Sequence, residues 1–251
     1  MDLNLKGKKA LITGSSKGIG LQIAKNLIGE GCKVAINSRN DDELKAIAKL
    51  LNGVIPIKGD VTNPLSVKKI VSEVINHFGE IDILVCNVGN GKSVKPGFES
   101  LSEWEKMFNI NFFSTTIIVE EFKEMLSSSK GVIVCISSIC GVETVSGAPV
   151  TYSVSKSALN SYVRGISRPF AKLGIRINAI AAGNILFKDS TWDHKLKCEP
   201  NEVKNMLRSE VPLNMFGEPI DVANLVSYLS SSCARFITGT VINLDGGQLR
   251  G

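Results

Sequence analysis

Tyr152 and Lys156 stand four residues apart in Thr151-Tyr-Ser-Val-Ser-Lys-Ser-Ala158, and Ser138 lies fourteen residues upstream of the tyrosine. A spacing of four puts the phenol and the amine one helical turn apart on one face. A free phenol titrates near pH 10, too high for a base at neutrality. A neighbouring ammonium favours the phenolate, so the pair predicts a lowered tyrosine pKa and acid–base work on a hydroxyl or carbonyl. Ser138 closes an apolar, strand-like run. From there it would hydrogen-bond the substrate oxygen and stabilise developing negative charge. Asn111, on the preceding helix, is read as the anchor of a water that relays protons to Lys156. Tyr-x-x-x-Lys alone is common on surface helices, so the reading depends on a second motif.

That motif opens the chain: Thr13-Gly-Ser-Ser-Lys-Gly-Ile-Gly20, directly after the apolar run Ala10-Leu-Ile. Gly14, Gly18 and Gly20 allow a tight turn and close approach of a pyrophosphate, with Ser16, Lys17 and Ile19 between them. The helix that follows offers unpaired N–H groups and the positive end of its dipole. Strand, glycine turn and helix in that order mark a dinucleotide site. The second strand ends in Asn37-Ser38-Arg39, where an acid would bind a ribose 2′-hydroxyl. Arg39 can fork onto a 2′-phosphate, Ser38 can donate to it and Lys17 adds charge, so NADP(H) is expected rather than NAD. Asp41 and Asp42 lie later and start the next helix. Asp60-Val61 is placed to hold the adenine edge, or else to cap a helix ahead of Asn63-Pro64. Asn87-Val88-Gly89 is expected against the cofactor ribose, whose hydroxyls Lys156 can also hold.

With 29 basic and 24 acidic residues the net charge is +5, and no block of five or six like charges occurs. A polyelectrolyte partner is not indicated, and a basic face with clustered aromatics, as a nucleic-acid binder needs, is not visible. The six cysteines are scattered without Cys-x-x-Cys, and only His77 and His194 add to the ligand supply, so no metal site is expected. Neither a signal-like apolar N-terminus nor an 18-residue apolar run is present. A reduced cytoplasmic protein with no membrane partner is the expectation.

These residues need a scaffold, and the chain supplies alternating short apolar and longer amphipathic runs. Strands are expected at Ala10–Thr13, Val34–Asn37, Val54–Ile57, Ile81–Cys86, Gly131–Ser137, Arg176–Ala181 and Thr240–Leu244. Helices are expected at Ile19–Leu27, Asp41–Leu51, Asn63–Phe78, around Glu103–Met125, at Tyr152–Lys172 and at Asp221–Leu229. Near-continuous apolar strands imply a parallel sheet covered on both faces. The fold class is α/β: a single doubly wound, Rossmann-like domain over 1–251, with ligands at the carboxyl ends of about seven strands. Residues 183–218 break the rhythm as a long polar loop with one small helix, Asn201–Ser209, and are read as a substrate loop or lid.

Taken together, Thr13–Gly20, Asp60, Asn87–Gly89, Asn111, Ser137-Ser138, Tyr152/Lys156, Arg176-Ile-Asn178 and Asp245-Gly-Gly247 resemble the short-chain dehydrogenase/reductase family over essentially the whole chain. The resemblance implies hydride transfer at the nicotinamide, Tyr152 as proton donor in reduction, Gly183 and Ile185 among the cofactor contacts, and a homotetramer. Within the family the chain looks most like 3-oxoacyl-[acyl-carrier-protein] reductases, which implies a carbonyl substrate carried as a thioester. Three departures stand out: Val88 within Asn87–Gly89, Ala182 before Gly183, and one extra residue between Ser138 and Tyr152. Carrier-specific members use basic residues just before the fifth and sixth strands; Ser129 and Leu173 stand there, beside Lys130 and Lys172. The stretch Asn184–Lys195 resembles members of sugar and surface-polysaccharide pathways, so a keto-sugar or nucleotide-sugar ketone is the rival substrate. Trp192 would then stack on a sugar face or pack within the lid, and Lys188, Lys195 and Lys197 would meet a phosphate or solvent. A cofactor-binding redox sensor without turnover is the alternative of another class.

Overall fold

Runs of Ile, Val and Leu become strands here because helices cover both faces of the sheet they form. The computed structural model describes residues 2–250. In chain order the elements are β1 (Lys9–Ile12), α1 (Gly18–Gly29), β2 (Lys33–Ser38), α2 (Asp41–Leu50), β3 (Ile55–Lys58), α3 (Pro64–Phe78), β4 (Ile83–Cys86), α4 (Leu101–Phe108), α5 (Ser114–Ser129), β5 (Val132–Ser138), α6 (Val150–Lys172), β6 (Arg176–Ala182), α7 (Thr191–Cys198), α8 (Pro200–Glu210), α9 (Pro219–Ser230) and β7 (Val241–Leu244). The seven strands are parallel and ordered β3-β2-β1-β4-β5-β6-β7. The order reverses between β1 and β4, which opens a crevice at their carboxyl ends.

Alternate residues divide the core in two. Ile12, Ile36, Val85, Val134 and Ile180 face Ile23 and Leu27 of α1 and Val222 and Val226 of α9. Leu11, Ala35, Leu84, Ile133 and Ile177 face Ile70 of α3, Phe122 of α5 and Leu159 and Val163 of α6. Strands buried on both sides cannot shift register without exposing a whole apolar set. That fixes where each strand ends, and so where the functional loops start. The edge strands β3 and β7 are only partly covered.

Two regions differ from the sequence expectation. The single helix around Glu103–Met125 is α4 and α5 joined by a π-helical turn, Asn109–Phe113. Apolar spacing of three and four cannot reveal a wider turn, which changes the phase between two helices without a break in composition. The lid contains two helices rather than one. Ser190 caps α7 by accepting from the Asp193 N–H at 3.1 Å, and Pro200 starts α8 after a single joining residue, Glu199. Among the described residues no helix is long and apolar enough to cross a membrane.

Candidate active site

The loops after β1, β4, β5 and β6 meet at the carboxyl edge of the sheet. In the first, Gly14 and Gly18 adopt φ of +61° and +56°, values that L side chains rarely reach. A Cβ on Gly20 would lie 2.5 Å from both the Asn87 amide and the Gly14 carbonyl. Helix α1 starts at Lys17 with no side-chain cap and no acid in its first turn. Its leading N–H groups are therefore open to a ligand, and the residues present fit a dinucleotide pyrophosphate.

Asn87 lines the crevice and its side chain is tied to the glycine turn. Its N–H donates to Thr13 Oγ1 at 2.9 Å, and its amide donates to the Thr13 and Gly14 carbonyls at 3.0 and 2.9 Å. It welds the end of β4 to the glycine turn. Val88 packs against Gly14 and the core, and Gly89 is the small residue that matters. A Cβ there would lie 3.1 Å from both Asn111 Oδ1 and Lys156 Nζ.

The predicted acid–base group converges on one cavity of about 690 Å³, lined by Ser138, Tyr152 and Lys156 together with Gly89, Gly183 and Ile185. Ser138 ends β5, and its oxygen accepts the Cys140 N–H at 3.2 Å, which leaves its own hydrogen to donate. Tyr152 and Lys156 lie in the first two turns of α6. The expected lowering of the phenol pKa does not hold. Burial pushes Tyr152 up to about 12, only partly opposed by a hydrogen bond with Ser138. Lys156 is buried, donates to the Ile136 carbonyl at 2.8 Å, and is pulled down to about 8 by loss of solvent. Loss of solvent is the largest cause at both groups, and neither is among the causes of the other's shift.

Asn111, the expected water anchor, has its side chain bonded to backbone groups. It lies in the π-helical turn, fully buried, and its side chain is engaged. Oδ1 accepts the Asn90 N–H at 2.8 Å, while Nδ2 donates to the carbonyls of Asn90 and Met107, both at 3.1 Å. The side chain clamps the loop after β4.

At the far end of the crevice, Arg39 is 77 % exposed, with its guanidinium 3.9 Å from the Asp60 carboxylate. Lys17 is exposed as well. Ser38 accepts the Asn40 N–H at 3.2 Å, and Ser16 donates to Glu43 at 2.7 Å. Asp60 lies beyond β3, and one of its oxygens closes a turn onto the N–H and hydroxyl of Thr62; the cap of α3 is Asn63. The side chains of Val61 and Ile185 pack in the core, and Ile185 also lines the cavity. A Cβ on Gly183 would lie 2.8 Å from the Asp245 Cα, so this glycine serves the packing of β6 against the turn after β7.

Residues of the 183–218 segment line one side of the cavity. Trp192 packs on Phe216 with ring centres 5.4 Å apart, and the Lys195 ammonium lies 4.9 Å over its ring. Lys197 pairs with Asp193 at 2.7 Å. Sequence reading missed Asn90, Gly91, Phe187 and Glu202, which also line the cavity. Phe187 left a trace, as an aromatic in a polar stretch; its ring lies against Gly18. The others carry no signal in their local pattern.

Comparison with known proteins agrees with this geometry. The family model described as Enoyl-(Acyl carrier protein) reductase matches residues 14–248. The chain is 32 % identical to the 3-oxoacyl-[acyl-carrier-protein] reductase of Aquifex aeolicus, covering 99 % of this chain and 100 % of that one. It is 31 % identical to glucose 1-dehydrogenase 2 of Bacillus subtilis, covering 98 % and 96 %. L-sorbose reductase from Gluconobacter frateurii, solved with NADPH and L-sorbose, superposes with a TM-score of 0.93 over the full length of both chains at 29 % identity. The chain thus belongs to the short-chain dehydrogenase/reductase family, as an oxidoreductase acting on alcohols and ketones.

Proposed function

We propose that this protein is an NADP(H)-dependent reductase of a small, free, polar carbonyl compound of the keto-sugar type. The observation that carries the reading is the convergence of Ser138, Tyr152 and Lys156 on one cavity beside the uncapped start of α1. Gly14, Gly18, Gly20 and the first N–H groups of α1 would hold the pyrophosphate, and Lys17, Ser38 and Arg39 the 2′-phosphate. When bound, the cofactor supplies the hydride. Ser138 donates a hydrogen bond to the carbonyl oxygen. Tyr152, with its pKa near 12, holds its proton throughout the neutral range and delivers it to the same oxygen. Lys156 is charged below about pH 8 and stabilises the phenolate left behind. That intact acid–base set speaks against a redox sensor without turnover.

The cavity wall is mixed: polar Asn90, Asn184, Glu199, Glu202 and Gln248 stand among apolar Val145, Phe187, Val203 and Met206, and the polar groups are what a hydroxylated substrate would engage. Likeness to the sorbose reductase and the glucose dehydrogenase points the same way. A second reading, a 3-oxoacyl thioester, is favoured by likeness to the acyl-carrier reductases. Lys130 and Lys172 lie at the starts of β5 and β6. Ser138 lies at the other end of β5, about 20 Å away at about 3.3 Å per residue. A carrier docked there would serve the site of a neighbouring copy in the assembly rather than that of its own chain.

We read residues 1–251 as one domain that assembles as a homotetramer in a reducing cytoplasm. Exposed Phe98, Leu101, Phe113 and Val154 on and around α4–α6 give it apolar surface to cover, and all six cysteines are free. The test is an NADPH-oxidation screen that sets keto-sugars against acetoacetyl thioesters. Turnover of a keto-sugar supports the first reading, and turnover of thioesters alone replaces it with the second. Tyr152→Phe should bind NADPH normally and lose about a hundredfold to ten-thousandfold in turnover; unchanged turnover refutes the mechanism.

A further inference from the structure

Helix α6 bears Tyr152 and Lys156, yet its own start is weakly anchored. Pro149 precedes it, has no side-chain donor or acceptor, and makes no capping bond. The first turn is held from outside instead. Thr151, fully buried and next to Tyr152, has its hydroxyl 2.7 Å from that of Ser93. Ser93 in turn donates to the Glu103 carboxylate at 3.0 Å. With the Ser93 hydrogen directed there, Thr151 is the donor in the first link. Glu103 is only 15 % exposed at its side chain and is braced by Lys106 at 3.2 Å.

The other end of the same segment is fixed as well. Asn111 clamps both backbone groups of Asn90, three residues before Ser93. Between the two anchors Gly91 faces the Tyr152 ring: a Cβ there would lie 3.7 Å from Cζ. Residues 90–93 therefore form a strut, tied at one end to the π-helical turn and at the other to the residue preceding Tyr152.

We propose that Glu103, Ser93 and Thr151 are positioning residues for the candidate proton donor, setting the place of the Tyr152 hydroxyl through the first turn of α6. This rests on Tyr152 acting as the acid, as proposed above. The chain touches neither the glycine turn nor the lid, so its loss displaces the phenol while leaving the cofactor cradle intact. A displacement of about 1 Å at a reacting group can cost about a hundredfold in rate; loosening one tether should cost about tenfold.

The test uses the full-length protein with the carbonyl substrate found in the screen. Ser93→Ala should lower kcat about tenfold, with the Kd for NADPH, read by nucleotide fluorescence, within twofold of wild type. Ser93→Thr, which keeps the hydroxyl, should restore most of the rate. Glu103→Gln, which keeps an acceptor but loses the charge, should fall between the two and serves as the measured variant if Ser93→Ala does not fold. A kcat loss below fivefold, a matching loss of NADPH affinity, or no recovery in Ser93→Thr overturns the proposal. If Tyr152→Phe retains turnover the mechanism itself fails. If Tyr152→Phe is inactive and Ser93→Ala is normal, only the positioning role fails.

Discussion

Replacing Lys156 by Met should make the protein more stable while abolishing its activity. Lys156 is 3 % exposed, and its pKa of about 8 lies well below the ordinary 10.5. That gap corresponds to about 3 kcal/mol of penalty for keeping the buried amine charged at neutral pH. Met fills the space without charge. It forfeits the bond to the Ile136 carbonyl, a loss of about 1 kcal/mol. The net gain is about 2 kcal/mol, or about 4–8 °C in Tm for a chain of this size. The pH dependence has a definite sign. Between about pH 8 and 10.5 the unfolded lysine binds a proton that the folded one has released, so wild-type stability rises with pH across that window. The Tm advantage of Lys156→Met should be full near pH 7 and vanish near pH 10.5. Paired thermal scans of the cofactor-free proteins measure it, since groups remote from Lys156 cancel in the difference and only the buried Cys86 and Cys135, which face it, contribute besides. A variant less stable than wild type near pH 7, or an advantage that does not change with pH, would refute the reasoning.

Arg39→Asp should reduce the ratio of kcat/KM for NADPH over NADH by about a hundredfold, because a charge-assisted clamp becomes a repulsion; an unchanged ratio places the phosphate clamp elsewhere. The rate of carbonyl reduction should fall as pH rises through about 8, where Lys156 loses its charge, while Tyr152 near 12 keeps its proton. A kcat profile flat to pH 10 contradicts this. Gly18→Ala combines a φ of +56° with a Cβ 2.6 Å from the Phe187 ring. It should cost about 1–3 kcal/mol by thermal unfolding and weaken NADPH binding at least tenfold; wild-type affinity would show that the turn tolerates a side chain.

Gly14, Gly18 and Gly20 were legible in the sequence because each stands where only a glycine fits, and the strand before and helix after them repeat the same message. Tyr152 and Lys156 were legible because four residues make one turn. The seven strands were legible because both faces of the sheet are apolar. What stayed hidden depends on partners distant in sequence. Asn87 and Asn111 carry a structural task that the sequence does not display, each tying backbone groups about seventy and twenty residues away. The π-helical turn left no trace in the apolar period. Helix α7 has only Trp192 and Leu196 as its apolar pair, too few to distinguish it from a loop. The sign of the Tyr152 shift was misread because spacing reveals a neighbour but not how much solvent is lost.

The missing cap at the start of α1 also bears on how long the folded protein lasts. An anion seated there does what a serine or aspartate would do in another helix, and it favours the native state by mass action. At a hundredfold excess over its Kd a bound dinucleotide adds about 2.7 kcal/mol. Endurance is thereby tied to ligand supply: the protein kept saturated with dinucleotide should melt later than the same protein after extensive dialysis.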